Sequence, residues 1–414
     1  MGALVLRRVH VDAARLNGAA QAKIYASYPS RLFVTNRGAT LSAAAVPYAG
    51  NASLTVLDNL SGMPSVVESW PSPFALEGQD LSVWSDRALV VVDLARGLLL
   101  VFNASRVSAG PVSSLNLTAN VALHVRLFHH PTTRARFALI TSGEATGPGR
   151  LLFCDVTDPY HPRELGSVAL NVTIPEGVLV HDQTSTAYVG GCTDTKLVTI
   201  DLSPLPGAAP VIRVAVEDGP LYSQMVSTPN PLPHEAWFAL YGGYGTSPVG
   251  GIARFSIDAA SGDLRAVERL LDARLIGANR VALAHYEYRQ KAGYPGAGRR
   301  PGSITTAVAL LPLEHSPVGG LAVVRLSPAP LAIESLVHFE HTGPNANVTT
   351  TRCFCAVGTQ STNGDGGGSS LVHAFVGSSS SMFTFELRGP SFAGGSVEGA
   401  PRDNAEEGRV KQRR

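Results

Sequence analysis

The amino-acid sequence predicts an all-β fold, a seven-bladed β-propeller with four antiparallel strands per blade. Three observations predict it. A short apolar run with a polar residue at its fifth place recurs along the 414 residues. Each copy is flanked by the same kinds of run. Finally, 42 Gly and 28 Pro with only 16% charged residues suit many short elements joined by turns.

The recurring run reads LTVLDN (54–59), LLVFNA (99–104), LLFCDV (151–156), LVTIDL (197–202), IARFSI (252–257), LAVVRL (321–326) and MFTFEL (382–387). Its polar residues are Asp58, Asn103, Asp155, Asp201, Ser256, Arg325 and Glu386. The spacing matches propeller blades of roughly 40–50 residues, the longer intervals carrying loop insertions.

Before each copy lies another β-rich run, such as RLFVTN (31–36), ALVVVD (88–93) or FALITS (137–142). After it come a turn and a third run, such as SVVESW, RELGSVAL or LRAVERL. Further upstream is a fourth, such as NVALHVRLF (120–128) or EGVLVHD (176–182). Sheets with two apolar faces need a neighbour on each side, which a ring supplies. The run ALVLRRVHV (3–11) is expected to close the ring as the outer strand of the last blade, hiding an edge.

Residues 1–394 are expected to form this single propeller and residues 395–414, polar and charged, a disordered tail. Two Gly-rich stretches, 289–303 and 360–370, are expected to be surface loops. The glycine-rich stretch 242–251 falls between two strands and reads as a hairpin loop, not a phosphate cradle.

A family resemblance rests on three of these segments. RLFVTN resembles the YVTN-type propeller repeat. FCDVTDPYHPRELGSV (153–168) resembles the LVIVD-type repeat, and IARFSIDAASGDLRAVE (252–268) resembles the blade signature of lactonase-like propellers. The resemblance covers about residues 20–390. It implies the architecture; such propellers include enzymes and surface-layer proteins, so it does not imply one activity.

Compartment signals conflict. No stretch approaches the roughly 20 apolar residues that span a bilayer, and Arg7 and Arg8 interrupt the N-terminal apolar run before it makes a signal peptide. That favours the cytoplasm. Against it, N-x-S/T sequons stand at Asn51, Asn59, Asn103, Asn116, Asn171 and Asn347. About two would be expected by chance, so the excess points to a glycosylated protein of the secretory pathway or the cell exterior. The four cysteines, Cys154, Cys192, Cys353 and Cys355, fit either disulfides in that compartment or buried thiols in strands. A net charge of +1 argues against nucleic acid as a partner, and a monomer is expected.

Propeller ligands gather at the mouth of the central channel, at the starts of the innermost strands. The candidates there are Glu77, Asn120, Glu176, Gln224, Asn279, Arg280 and Arg352. Glu with Asn offers oxygen donors for calcium, a cofactor that polarises a lactone carbonyl. Metal-dependent gluconolactonase-type propellers have similar ligand types, although a matching Asp is missing here. Alternatively, Arg280 and Arg352 suit a carboxylate or phosphate on a sugar acid. Solvated channel-lining groups would carry the same residues. Among the histidines, His124, His181 and His285 follow inner strands, His338 and His341 precede the seventh blade, and His129 and His130 sit in a loop; no metal-binding spacing links them, so scattered strand-end histidines are the simpler reading. There is no GxSxG elbow followed by a helix, no P-loop and no dinucleotide fingerprint.

Two functions follow. One is a secreted or surface-exposed propeller that binds a small ligand or a protein partner at the channel mouth. The other is a lactone hydrolase acting on a sugar lactone. The sequon excess disfavours a third, an intracellular scaffold.

Overall fold

The computed structural model describes residues 3–388 except for connecting stretches, the longest being 39–51, 290–302 and 339–354. Strand β1 (Ala3–Val11) opens the chain. The first sheet is β2 (Ala19–Ile24), β3 (Leu32–Asn36), β4 (Ala52–Asp58) and β5 (Ser65–Ser72). The second is β6 (Leu76–Leu81), β7 (Ala88–Asp93), β8 (Leu98–Asn103) and β9 (Pro111–Asn116). The third is β10 (His124–His129), β11 (Arg136–Ser142), β12 (Arg150–Asp155) and β13 (Arg163–Ala169). The fourth is β14 (Pro175–His181), β15 (Thr186–Gly191), β16 (Lys196–Asp201) and β17 (Val211–Glu217). The fifth is β18 (Tyr222–Met225), β19 (Glu235–Leu240), β20 (Gly250–Ile257) and β21 (Leu264–Asp272). The sixth is β22 (Ala282–Arg289), β23 (Ser303–Leu313), β24 (Gly320–Arg325) and β25 (Ala332–His338).

In the last sheet β26 (Cys355–Thr362), β27 (Ser369–Val376) and β28 (Ser381–Arg388) are joined by β1, which pairs antiparallel with β28. The described strands thus form seven four-stranded antiparallel sheets, and the N-terminal strand completes the one built from the C-terminal end. The fold is a β-propeller. The innermost strands β2, β6, β10, β14 and β18 pack in succession, β22 packs on β26, and β26 returns to β2. The fifth and sixth sheets share one core, in which Phe238 and Phe255 meet Ala309 and Leu311.

The recurring apolar run is the third strand of each sheet. It and the second strand are sandwiched between neighbours: Leu89, Val91 and Val92 of β7 and Leu99, Val101 and Phe102 of β8 are all 0% exposed. Burying such side chains stabilises by roughly 1.5–3 kcal/mol each. The outer strands alternate instead, as in the half-exposed β9.

The polar residue ending the run has a structural task. Asp155 Oδ1 accepts from Thr157 N at 2.9 Å, Asp201 Oδ1 from Ser203 N at 3.0 Å, and Asn103 Oδ1 from Ser105 N at 2.9 Å. These are Asx turns that lead the chain into the outer strand. Two also reach that strand by ion pair, Asp155 with Arg163 and Asp201 with Arg213, each at 2.9 Å.

One expectation needs adjusting. The loop expected over 360–370 is shorter, since β26 runs to Thr362 and β27 starts at Ser369. Of the two readings of the cysteines, the buried thiol holds for Cys154, which is free on β12. Cys192, Cys353, His341 and the tail lie outside the described residues, as do Asn51 and Asn347.

Candidate functional site at the channel mouth

Inner strands begin with a recurring irregularity. In β6 the register shifts between Leu76 and Gln79, so Glu77 and Gly78 oppose a single residue of β7. The same shift falls between Pro175 and Val178 of β14, and between Tyr222 and Met225 of β18. Such bulges re-aim residues at strand ends, and three sequence candidates, Glu77, Glu176 and Gln224, fall in them. At Gly78 the chain passes so close to β10 that a Cβ would stand 2.8 Å from His124 Cα.

Glu77 is the centre of the site. It is 1% exposed. Arg37, which follows β3, donates to it through Nε and a terminal N–H, a two-pronged contact with both carboxylate oxygens. Arg280, which precedes β22, brings Nη2 to 3.8 Å from Glu77 Oε1. Arg280 comes from the sixth sheet and Glu77 from the second, which are not neighbours in the ring; their contact crosses the channel. Both arginine residues are 6% exposed. Thr35 Oγ1 donates to the Glu77 carbonyl at 2.5 Å and pins the strand beneath.

His124, the first residue of β10, completes the group. Burial, then the nearby charges of Arg280 and Arg37, push its pKa well below the ordinary 6.5. The ring is therefore neutral at pH 7, with one nitrogen able to accept a proton.

The sequence candidates divide. Glu77 and Arg280 are brought together. Glu176 and Gln224 are placed by their backbone at the starts of β14 and β18. Asn120 sits exposed in the connection before β10, beside the β7–β8 turn at Gly97. Asn279 and Arg352 lie outside the described residues. Arg37 was missed because it follows a second strand, not an inner one. His124 was passed over because nothing in its spacing distinguished it from the other histidines.

Calcium does not fit here. Both Glu77 oxygens are engaged by a cation, and a second guanidinium stands beside them. No cluster of three or more His, Cys, Asp and Glu suited to a metal occurs among the described residues. A cleft of about 610 Å³ lies away from the channel, at the β20–β21 turn, lined by His234, Asp258, Ser261 and Asp263. Its polar groups satisfy one another: Ser261 Oγ bonds Asp258 at 3.1 Å and Asp263 at 2.8 Å.

Together these strands form a propeller in which two buried arginines, Arg37 and Arg280, gather around Glu77. No family model matches the chain, and no curated protein sequence does either. Solved structures are similar in fold alone. A putative 6-phosphogluconolactonase from Bacteroides uniformis is 13% identical with a TM-score of 0.52, covering 80% of this chain and 88% of that one. The β-propeller domain of Cps50 (Swd1) from Myceliophthora thermophila is 9% identical with a TM-score of 0.55, covering 92% and 99%. The WD40 domain of Toxoplasma gondii coronin is 10% identical with a TM-score of 0.52, covering 94% and 88%.

Proposed function

We propose that this propeller binds an anionic small molecule at the channel mouth, held by Arg280 beside the Arg37–Glu77 pair. The carrying observation is the convergence of two buried guanidinium groups on one carboxylate. Planar guanidinium donors match carboxylate and phosphate oxygens. The Arg280–Glu77 contact is the longer of the two, so an arriving anion exchanges with that one and leaves Arg37 on Glu77. The seven sheets are read as seven blades of the lactonase-like type. A secretory or extracellular location is part of the proposal, supported by the four described sequon residues: Asn59, Asn103, Asn116 and Asn171 are all exposed.

The place of His124 beside Arg37 and Arg280 favours a second reading, a hydrolase of sugar lactones. In that chemistry His124 takes a proton from water as its oxygen adds to the lactone carbonyl carbon. Arg280 stabilises the oxyanion. The ring C–O bond then breaks, and the leaving alkoxide recovers the proton from His124. A substrate of the phosphogluconolactone kind would place its phosphate within the reach of arginine. The fold likeness to a putative 6-phosphogluconolactonase is in keeping with this.

Calorimetry with gluconate and 6-phosphogluconate, and hydrolysis of a panel of sugar lactones, test both readings. Arg280→Ala is expected to weaken anion binding at least tenfold, about 1.4 kcal/mol. His124→Ala is expected to abolish hydrolysis while binding persists. If neither anion binds the wild type, or Arg280→Ala binds equally well, the binding site is wrong. If no lactone is turned over, the hydrolase reading falls. Absence of a glycan mass shift after expression in a eukaryotic host would overturn the secretory location.

A further inference from the structure

A second group of buried polar side chains lies further along the same inner strands. Asp80 is three residues beyond Glu77 on β6, roughly 10 Å along the strand. Lys23 of β2 donates from Nζ to Asp80 Oδ1 at 2.8 Å. Arg126 of β10 places Nη1 3.5 Å from Oδ2, which also accepts from Leu127 N at 2.9 Å. Three successive inner strands thus each contribute one charged residue. Both oxygens of Asp80 are occupied.

The donors are not all used. An ammonium offers three N–H groups. Among the described residues Lys23 makes one hydrogen bond, to Asp80, while Nζ sits 5.2 Å from the centroid of the Tyr25 ring. The Tyr25 hydroxyl is buried without a partner. A buried donor without an acceptor is costly, so such donors mark a place where acceptors arrive from outside. Side-chain exposure rises from 5% at Lys23 and 8% at Asp80 to 18% at Arg126, so solvent reaches the group on the Arg126 side. Asp182, within electrostatic reach of Arg126, is the other acid facing this region.

We propose that Lys23, Tyr25 and Arg126 form a second ligand site at the seam of the inner strands β2, β6 and β10, separate from the mouth, which takes a small oxyanion through a carboxylate or phosphate group. The ligand supplies the acceptors that Lys23 and Tyr25 lack, and Asp80 holds Lys23 in place to meet it. Carboxylate and phosphate oxygens are acceptors that Lys and Tyr donors both recognise.

The test is titration of the full chain with inorganic phosphate and, separately, with malonate, with sodium chloride as the ionic-strength control. Binding is followed by calorimetry and by the rise in Tm. Tyr25→Phe removes only an unpartnered oxygen and should fold as the wild type does. It is expected to weaken binding severalfold, and Lys23→Met at least tenfold. Arg280→Ala is expected to leave this site unchanged, which separates it from the mouth. Preference for phosphate or for malonate assigns the ligand class. Failure of both anions to bind the wild type, or equal affinity in Tyr25→Phe, would overturn the proposal.

Discussion

Lys23 and Asp80 form a 2.8 Å ion pair across the seam between β2 and β6, with side chains 5% and 8% exposed. Gln79 lies beside it, donating from its side chain to the Phe33 carbonyl at 2.8 Å and from its backbone N–H to Gln21 Oε1 at 2.6 Å. The first two sheets are therefore joined by polar contacts as well as by an apolar core.

Breaking this pair is expected to be costly. Asp80→Asn leaves a buried ammonium without its counter-charge and should destabilise by about 3–5 kcal/mol in urea unfolding. Replacing both residues by apolar ones should cost less than the single change. Equal costs would mean that the pair is not coupled.

The same pair sets a pH dependence. Burial, outweighing the attraction of Asp80, holds the Lys23 pKa down to about 8 from its ordinary 10.5. The unfolded chain therefore binds more protons between these values, and this group's contribution to stability rises as pH increases from about 8 to 10.5. Asp80 is shifted down from 3.8; although burial alone would raise it, Arg126, Lys23 and Leu127 N together prevail. Its contribution is present above 3.8 and is lost as pH falls below it. Unfolding measured from pH 3 to 10 should show both trends in the wild type. Lys23→Met should lack the alkaline rise, and an unchanged profile there would refute the assignment.

The Asx turns should act independently. Asp155→Ala and Asp201→Ala each remove a turn hydrogen bond and an ion pair to an outer strand in separate sheets. Each should cost about 1 kcal/mol. The double variant should cost the sum to within about 0.5 kcal/mol by chemical denaturation.

Gly78 is expected to tolerate no side chain. A Cβ there would stand 2.8 Å from both His124 Cα and Val125 N, backbone atoms that cannot swing aside. Gly78→Ala should lose about 1–3 kcal/mol. Gly207, whose nearest neighbour would be 3.6 Å away, should accept Ala with little change in Tm.

Cys154 should be inert in the folded protein. It is 0% exposed, and burial pushes its thiol pKa up, so the reactive thiolate is scarce. Peptide mass spectrometry should find it unlabelled by a thiol reagent until denaturant is added.

What was legible in the sequence follows from local chemistry. The apolar runs show themselves because strands buried on both faces must be apolar throughout. The polar residue that ends them shows because a turn hydrogen bond is made within two residues. The pairing of 3–11 with the C-terminal strand was legible because an incomplete sheet needs a fourth member. Glu77 was legible as a polar residue at the start of an innermost strand.

Arg37 and His124 were not legible as site residues, and neither was the union of Lys23, Asp80 and Arg126. By itself the sequence determined the strands, their order and the turn chemistry, because each depends on neighbours close along the chain. Only the tertiary structure decided which charges meet. Glu77 and Arg280 are some two hundred residues apart in sequence. Closure of the ring sets their sheets across one narrow channel, where low solvent exposure makes each guanidinium–carboxylate contact count.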